Sequence, residues 1–183
     1  MRGLRWLGAM VVGACLVVGC AKTGSVQEKA PLTQDLAAYR SAAVSVELPS
    51  SVKNAEQHEV AMASGLTERL REKKLFAEVV TENADLAIKI VVTSVDEGSA
   101  LARGIGPAAG GDAQVAASVD LFDTKQGKFV GAFDVTGNSK KNVQSSVGGV
   151  NTAAVEDSTG RALGAAADEI VAYLEQHKAG AKK

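Results

Sequence analysis

Alternation organises the middle of the chain. Ala42, Val44, Val46 and Leu48 recur at every second position, as the core-facing residues of a strand must, and Pro49, which lacks a backbone N–H, ends the run. Met62, Ala63, Leu66 and Leu70 then follow at helical spacing, with Glu68, Arg69, Arg71 and Glu72 between them, predicting a helix from about Ala55 to Lys74. Asn54, with Gln57 three residues on, resembles a capping pair for that helix. The short apolar run from Phe76 to Val80 predicts a second strand. The strongest strand signal lies from Ala84 to Asp96, where Leu86, Ile88, Ile90 and Val92 share one face and Ala87, Val91 and Val95 the other, so this strand belongs at the centre of a sheet.

A hairpin comes next. Val115, Ala117, Val119 and Leu121 alternate, residues 123–128 supply a turn with Gly127 in it, and Phe129 to Val135 return. A polar stretch from Thr136 to Asn151 leads to a closing helix whose core stripe is Leu163, Ala166, Ile170 and Leu174, with His177 and Lys178 complementing the negative end of its dipole. Between the central strand and the hairpin, residues 98–112 hold five glycines and Pro107, which predicts a loop. From Ala21 to Ala38 there is no sustained period. This stretch reads as a flexible tether with a maximum reach of about 60 Å, and the folded part is expected to begin near Tyr39.

The start of the chain has a different character. Arg2 and Arg5 precede an apolar run from Trp6 to Val18, too short to span a bilayer, which ends in Val17-Val18-Gly19-Cys20. This segment resembles the lipobox of bacterial lipoprotein signal peptides. The resemblance implies cleavage before Cys20, a lipid on its thiol and an acyl chain on the new amino group, two chains being enough for stable anchoring. Ala21, in place of an aspartate after the cysteine, implies sorting to the outer membrane by the enteric rule. Cys15 leaves with the signal peptide and Cys20 is consumed by lipid, so no disulfide is expected.

Removing residues 1–19 leaves 164 residues, enough for one domain, with 18 basic side chains against 21 acidic ones. That balance offers no basis for binding nucleic acid. Aromatic residues make up only 4% of the chain, so the core must be assembled from small side chains.

Candidate chemistry is sparse. His58 and His177 have no histidine or cysteine at metal-ligand spacing and read as solvated helix residues. Ser50 and Lys53 match the short serine–lysine pattern of penicillin-recognising enzymes, but the companion motifs are out of order or missing. Gly104-Ile105-Gly106 satisfies neither a dinucleotide fingerprint nor a P-loop. Asp96, Glu97, Asp120, Asp123 and Asp134 fall at strand ends and read as solvated charge, Asp123 with Lys128 as a turn pair. Neither a metal nor a cofactor is expected. The residues of interest are Leu101, Arg103 and Ile105, because apolar side chains in a glycine-rich loop either tuck into the domain or touch a partner.

Four pieces in order, Ala84-Asp85-Leu86 leading into Asp96-Glu97-Gly98-Ser99, Arg103-Gly104-Ile105-Gly106, Val119-Asp120-Leu121-Phe122-Asp123 with Gly127-Lys128, and the Ala-rich closing helix, resemble a family of bacterial lipoproteins known only as a domain of unknown function. The resemblance covers Tyr39 to His177 and departs from the family pattern at 107–112, where the loop is enlarged. It implies a fold and an envelope address, and no reaction.

The sequence therefore predicts an α+β fold: one domain over 39–178, an antiparallel or mixed sheet of four or five strands, two helices packed on one face, and a disordered tail at 179–183. The expected role is a non-catalytic lipoprotein, held to the membrane through Cys20 and facing the periplasm. It would bind or scaffold an envelope protein in an assembly, transport or stress-related complex. A small-ligand or lipid binder using the glycine loop as a flap is the second reading, and a hydrolase the third.

Overall fold

A computed structural model describes residues 24–97, 112–139 and 158–179. Its elements run β1 (Gly24–Ala30), a 3-10 turn (Leu36–Ala38), β2 (Ser41–Glu47), α1 (Ala55–Glu72), β3 (Glu78–Val80), β4 (Leu86–Asp96), β5 (Gln114–Asp123), β6 (Lys128–Asn138) and α2 (Ser158–Ala179). The class is α+β, as the periodicities predict. The sheet, however, has six strands rather than four or five, in the order β1-β6-β5-β4-β2-β3. It is mixed: β2 runs parallel to both β3 and β4, and the other pairs are antiparallel.

The sixth strand comes from the stretch read as a tether. Residues 24–30 add an antiparallel edge to β6, from Gly24 opposite Gly137 to Ala30 opposite Ala132. The chain then sends Leu36 into the core, where it is fully buried. No apolar period announces β1, because only Val26 and Ala30 of its side chains turn partly inward and the strand is held by ladder hydrogen bonds. The folded domain therefore begins ahead of Tyr39, and the flexible-tether reading of 24–38 is corrected.

The central register matches one apolar face to another. Ile88 lies opposite Leu121 and Ile90 opposite Val119, while Lys89 and Asp120 face each other on the reverse side. Both helices pack on the apolar face, with Leu66, Leu70, Ile170 and Leu174 fully or almost fully buried and Phe133 stacked on Tyr173 at 3.9 Å between ring centroids. Arg69 and Asp168 bridge α1 to α2 at 2.6 Å. The reverse face of the sheet is polar, carrying the ion pairs Lys89–Glu47 and Lys29–Asp134 and the hydroxyl pair Ser25–Thr136.

Three local expectations are corrected. Asn54 sits in the left-handed region at φ 57° and its side chain makes no cap hydrogen bond, because an N-cap needs extended backbone there. His58 is 3% exposed rather than solvated, since it falls one turn before Met62 on the buried face of α1. Asp123 is also buried, accepting hydrogen bonds from Tyr39 Oη and the Gln126 backbone N–H. Gly127 takes a φ of +61° in the β5–β6 turn, as a glycine there allows.

Candidate functional site

The strands and helices give the domain two poles. At one lie the start of β1, the end of β4, the start of β5, the end of β6 and the start of α2. At the other lie the start of β2, the β5–β6 turn and the last turn of α2, tied there by Lys178. Leu101, Arg103 and Ile105 lie outside the described residues, as does Cys20. The segment holding the first three leaves the described chain after Glu97 and rejoins it at Asp112.

An open groove of about 530 Å³ is cut into the second pole. Arg40, Arg71, Lys74 and Lys178 line it together with Tyr39, Leu75, Phe76 and Ala77. Each cation is placed by backbone. The Arg40 N–H donates to Asp85 Oδ2 at 3.1 Å and its carbonyl accepts from the N–H groups of Ala77 and Glu78, which pins this residue between β3 and β4. Arg71 leaves the last turn of α1 and donates through Nη2 to the Val79 carbonyl at 2.6 Å. Lys74 follows the helix at φ +52°, a position where glycine is cheaper and any other residue costs roughly 1 kcal/mol. Lys178 donates to the carbonyls of Leu36 and Tyr39 at 3.2 and 3.0 Å, and its ammonium lies 4.1 Å from the centre of the Phe76 ring.

None of these four cations forms an ion pair with a carboxylate among the described residues. The cleft between the helices differs, since its Arg69 and Lys73 are neutralised by Asp168 and Glu175. Burial pulls the Lys178 ammonium below its ordinary value, with the negative charge of Asp35 opposing the shift. Two acidic groups at this pole, one of them in the groove wall, are already engaged. Lys125 and the backbone N–H groups of Arg40 and Ser41 hold the Asp85 carboxyl below the usual carboxylate range. Tyr39 is pushed up to about 12 by burial and by the charge of Asp123, so it stays a neutral donor to Gln34 and Asp123.

On the reverse side of the sheet the same pole exposes an aromatic pair, Phe122 at 36% and Phe129 at 44%, packed edge to face at 5.6 Å. Sequence reasoning missed both features. The signal for the groove was the basic end of each helix, Arg69 and Arg71 in one and His177 and Lys178 in the other, which periodicity assigns to solvent or to the dipole without showing that the two ends meet. Ser50 and Lys53 lie exposed ahead of α1, and His177 bonds the Tyr173 carbonyl at 2.8 Å. Among the described residues no group of three or more histidine, cysteine and carboxylate side chains is placed to hold a metal, and no helix is long and apolar enough to cross a membrane.

Residues 26–141 match the family described as a domain of unknown function, DUF4410. The chain belongs to this family. The DUF4410 match opens inside β1 rather than at Tyr39 and closes before α2, so the edge strand is part of the family domain and the closing helix lies beyond the matched region. Among solved structures, protein CT253 of Chlamydia trachomatis shares the fold at 10% identity and a TM-score of 0.52, over 76% of this chain and 98% of that one. The PelC dodecamer protein of Paraburkholderia phytofirmans is similar at 20% identity, TM-score 0.42, over 63% and 80% of the two chains. A minor lipoprotein of Acinetobacter baumannii is similar at 14% identity, TM-score 0.38, over 79% and 96%. No curated protein matches.

Proposed function

We propose that this DUF4410 chain is a non-catalytic, lipid-anchored binding module of the bacterial cell envelope, facing the periplasm from the outer membrane, whose groove takes a phosphate-bearing group of a partner. The lipobox resemblance at Cys20 supports the anchor. The observation that carries the binding role is the convergence of Arg40, Arg71, Lys74 and Lys178 on one groove without an ion-paired carboxylate among the described residues. An anion entering among these cations is attracted by each of them. Two guanidinium groups favour phosphate oxygens, which match the planar fork of arginine, and the apolar floor of Leu75 and Phe76 lowers the local dielectric.

The binding role is tested by calorimetric titration of residues 24–183 with inorganic pyrophosphate, with citrate as the carboxylate control. Saturable pyrophosphate binding that citrate does not match, lost in Arg40→Glu/Lys74→Glu at unchanged melting temperature, supports the reading. Equal binding by the double variant contradicts it. The anchor is tested separately by fatty-acid labelling of cells, which Cys20→Ser must abolish.

A further inference from the structure

The start of β1 leaves almost no slack between the domain and a lipid on Cys20. Gly24 is seated so closely that a Cβ there would meet the Thr136 carbonyl oxygen at 2.3 Å and Glu169 Cγ at 2.7 Å, so the strand is fixed from its first residue. From Cys20 to Gly24 the chain advances four residues, a span of about 14 Å at full extension. Among the described residues, Thr136 and Gly137 pair with the first residues of β1, and Gln114 and Asn138 pair beside them.

We infer that the domain stands with this pole against the headgroup layer of the bilayer that holds its anchor, and that the cationic groove is held away from that layer by the length of the sheet. The inference rests on lipidation of Cys20. Its occupant is the bilayer itself, because a 14 Å leash cannot carry the Gly24 pole further off. The ten residues of β5 separate the poles by about 34 Å at 3.4 Å per residue. Charge at the Gly24 pole is mixed: among the described residues Asp96, Glu97 and Asp112 lie there, and so does Arg161 in the first turn of α2. The short leash imposes the contact. The groove then meets only partners that reach tens of ångströms from the membrane surface, which sets it apart from a site for the headgroups of its own leaflet.

Energy transfer to a headgroup-labelled acceptor tests this with the mature lipidated protein in phosphatidylethanolamine–phosphatidylglycerol vesicles. Single dyes are placed at Ser25→Cys, beside the Gly24 pole, and at Lys128→Cys, at the groove pole; both native side chains are exposed. Strong transfer from position 25 and several-fold weaker transfer from position 128 is the expected result. A Gly-Ser insertion of about 20 residues after Ala21, reaching roughly 25 Å on average, should bring the two values together. Equal transfer in the uninserted protein, with the protein retained on vesicles, overturns the orientation and leaves the anchor standing. Loss of vesicle retention overturns both.

Discussion

Gly24 of β1 stands directly opposite Gly137 of β6, and neither position has room for a side chain. A Cβ at Gly137 would meet the Ala162 carbonyl oxygen at 2.2 Å and the Ala166 nitrogen at 2.5 Å, so at this point the backbones of β6 and α2 lie against each other. Neither partner atom belongs to a flexible side chain that can swing aside. Gly137→Ala should therefore destabilise the domain by about 2 kcal/mol, the usual cost of overpacking a close contact, as read from urea unfolding.

The edge strand and the turn after it should matter as much as the core. A chain beginning at Tyr39 loses β1, exposes the hydrogen-bonding edge of β6 and vacates the site of fully buried Leu36. Its unfolding midpoint should fall well below that of a chain beginning at Gly24, and it should aggregate on heating. Leu36→Ala alone should cost roughly 3 kcal/mol, which separates the burial from the strand. An unaltered midpoint in the short chain would return these residues to the status of a tether.

Lys74 trades stability for position. Because its backbone is left-handed, Lys74→Gly should raise stability by about 0.5–1 kcal/mol while weakening pyrophosphate binding. Opposite signs for the two measurements are the expected outcome. A loss of stability would show that the lysine side chain holds the turn together.

Alkaline titration should report on Tyr39. Its phenol rises from 10.0 to about 12 on folding, so its contribution is complete below pH 10 and is lost as pH climbs from there through 12, where the unfolded chain ionises first. Tyr39→Phe should be less stable than the parent at neutral pH and should show a shallower decline over that window in parallel denaturant titrations. Acid acts on Asp85 in the opposite sense. Because the folded value is lowered, its contribution holds above the ordinary carboxylate value of about 3.9 and fades as pH falls through the folded one, a fade that Asp85→Asn should remove.

Periodicity made β4, β5, β6 and both helices legible, because each buries one regular face: Ile88, Ile90, Val119 and Leu121 in the sheet, Leu66, Leu70, Ile170 and Leu174 against it. It failed at β1, where backbone hydrogen bonds and two facing glycines hold the strand and few side chains record it. Asn54 misled because residue type at a helix start does not reveal backbone sign. The groove stayed hidden for a related reason. Arg40, Arg71, Lys74 and Lys178 are scattered along the sequence, each ordinary in its own segment, and only the parallel pairing of β2 with β3 and the packing of α2 bring them together.

The most direct test of the anion-binding groove is a residue-resolved nuclear magnetic resonance titration of residues 24–183 with inorganic pyrophosphate. Saturable shifts should cluster on the backbone amides of Arg40, Lys74, Leu75, Ala77 and Lys178 and vanish in Arg40→Glu/Lys74→Glu, while amides beside the paired Arg69–Asp168 cleft stay still. Shifts spread evenly over the exposed lysines, or an unchanged map in the double variant, would contradict the account.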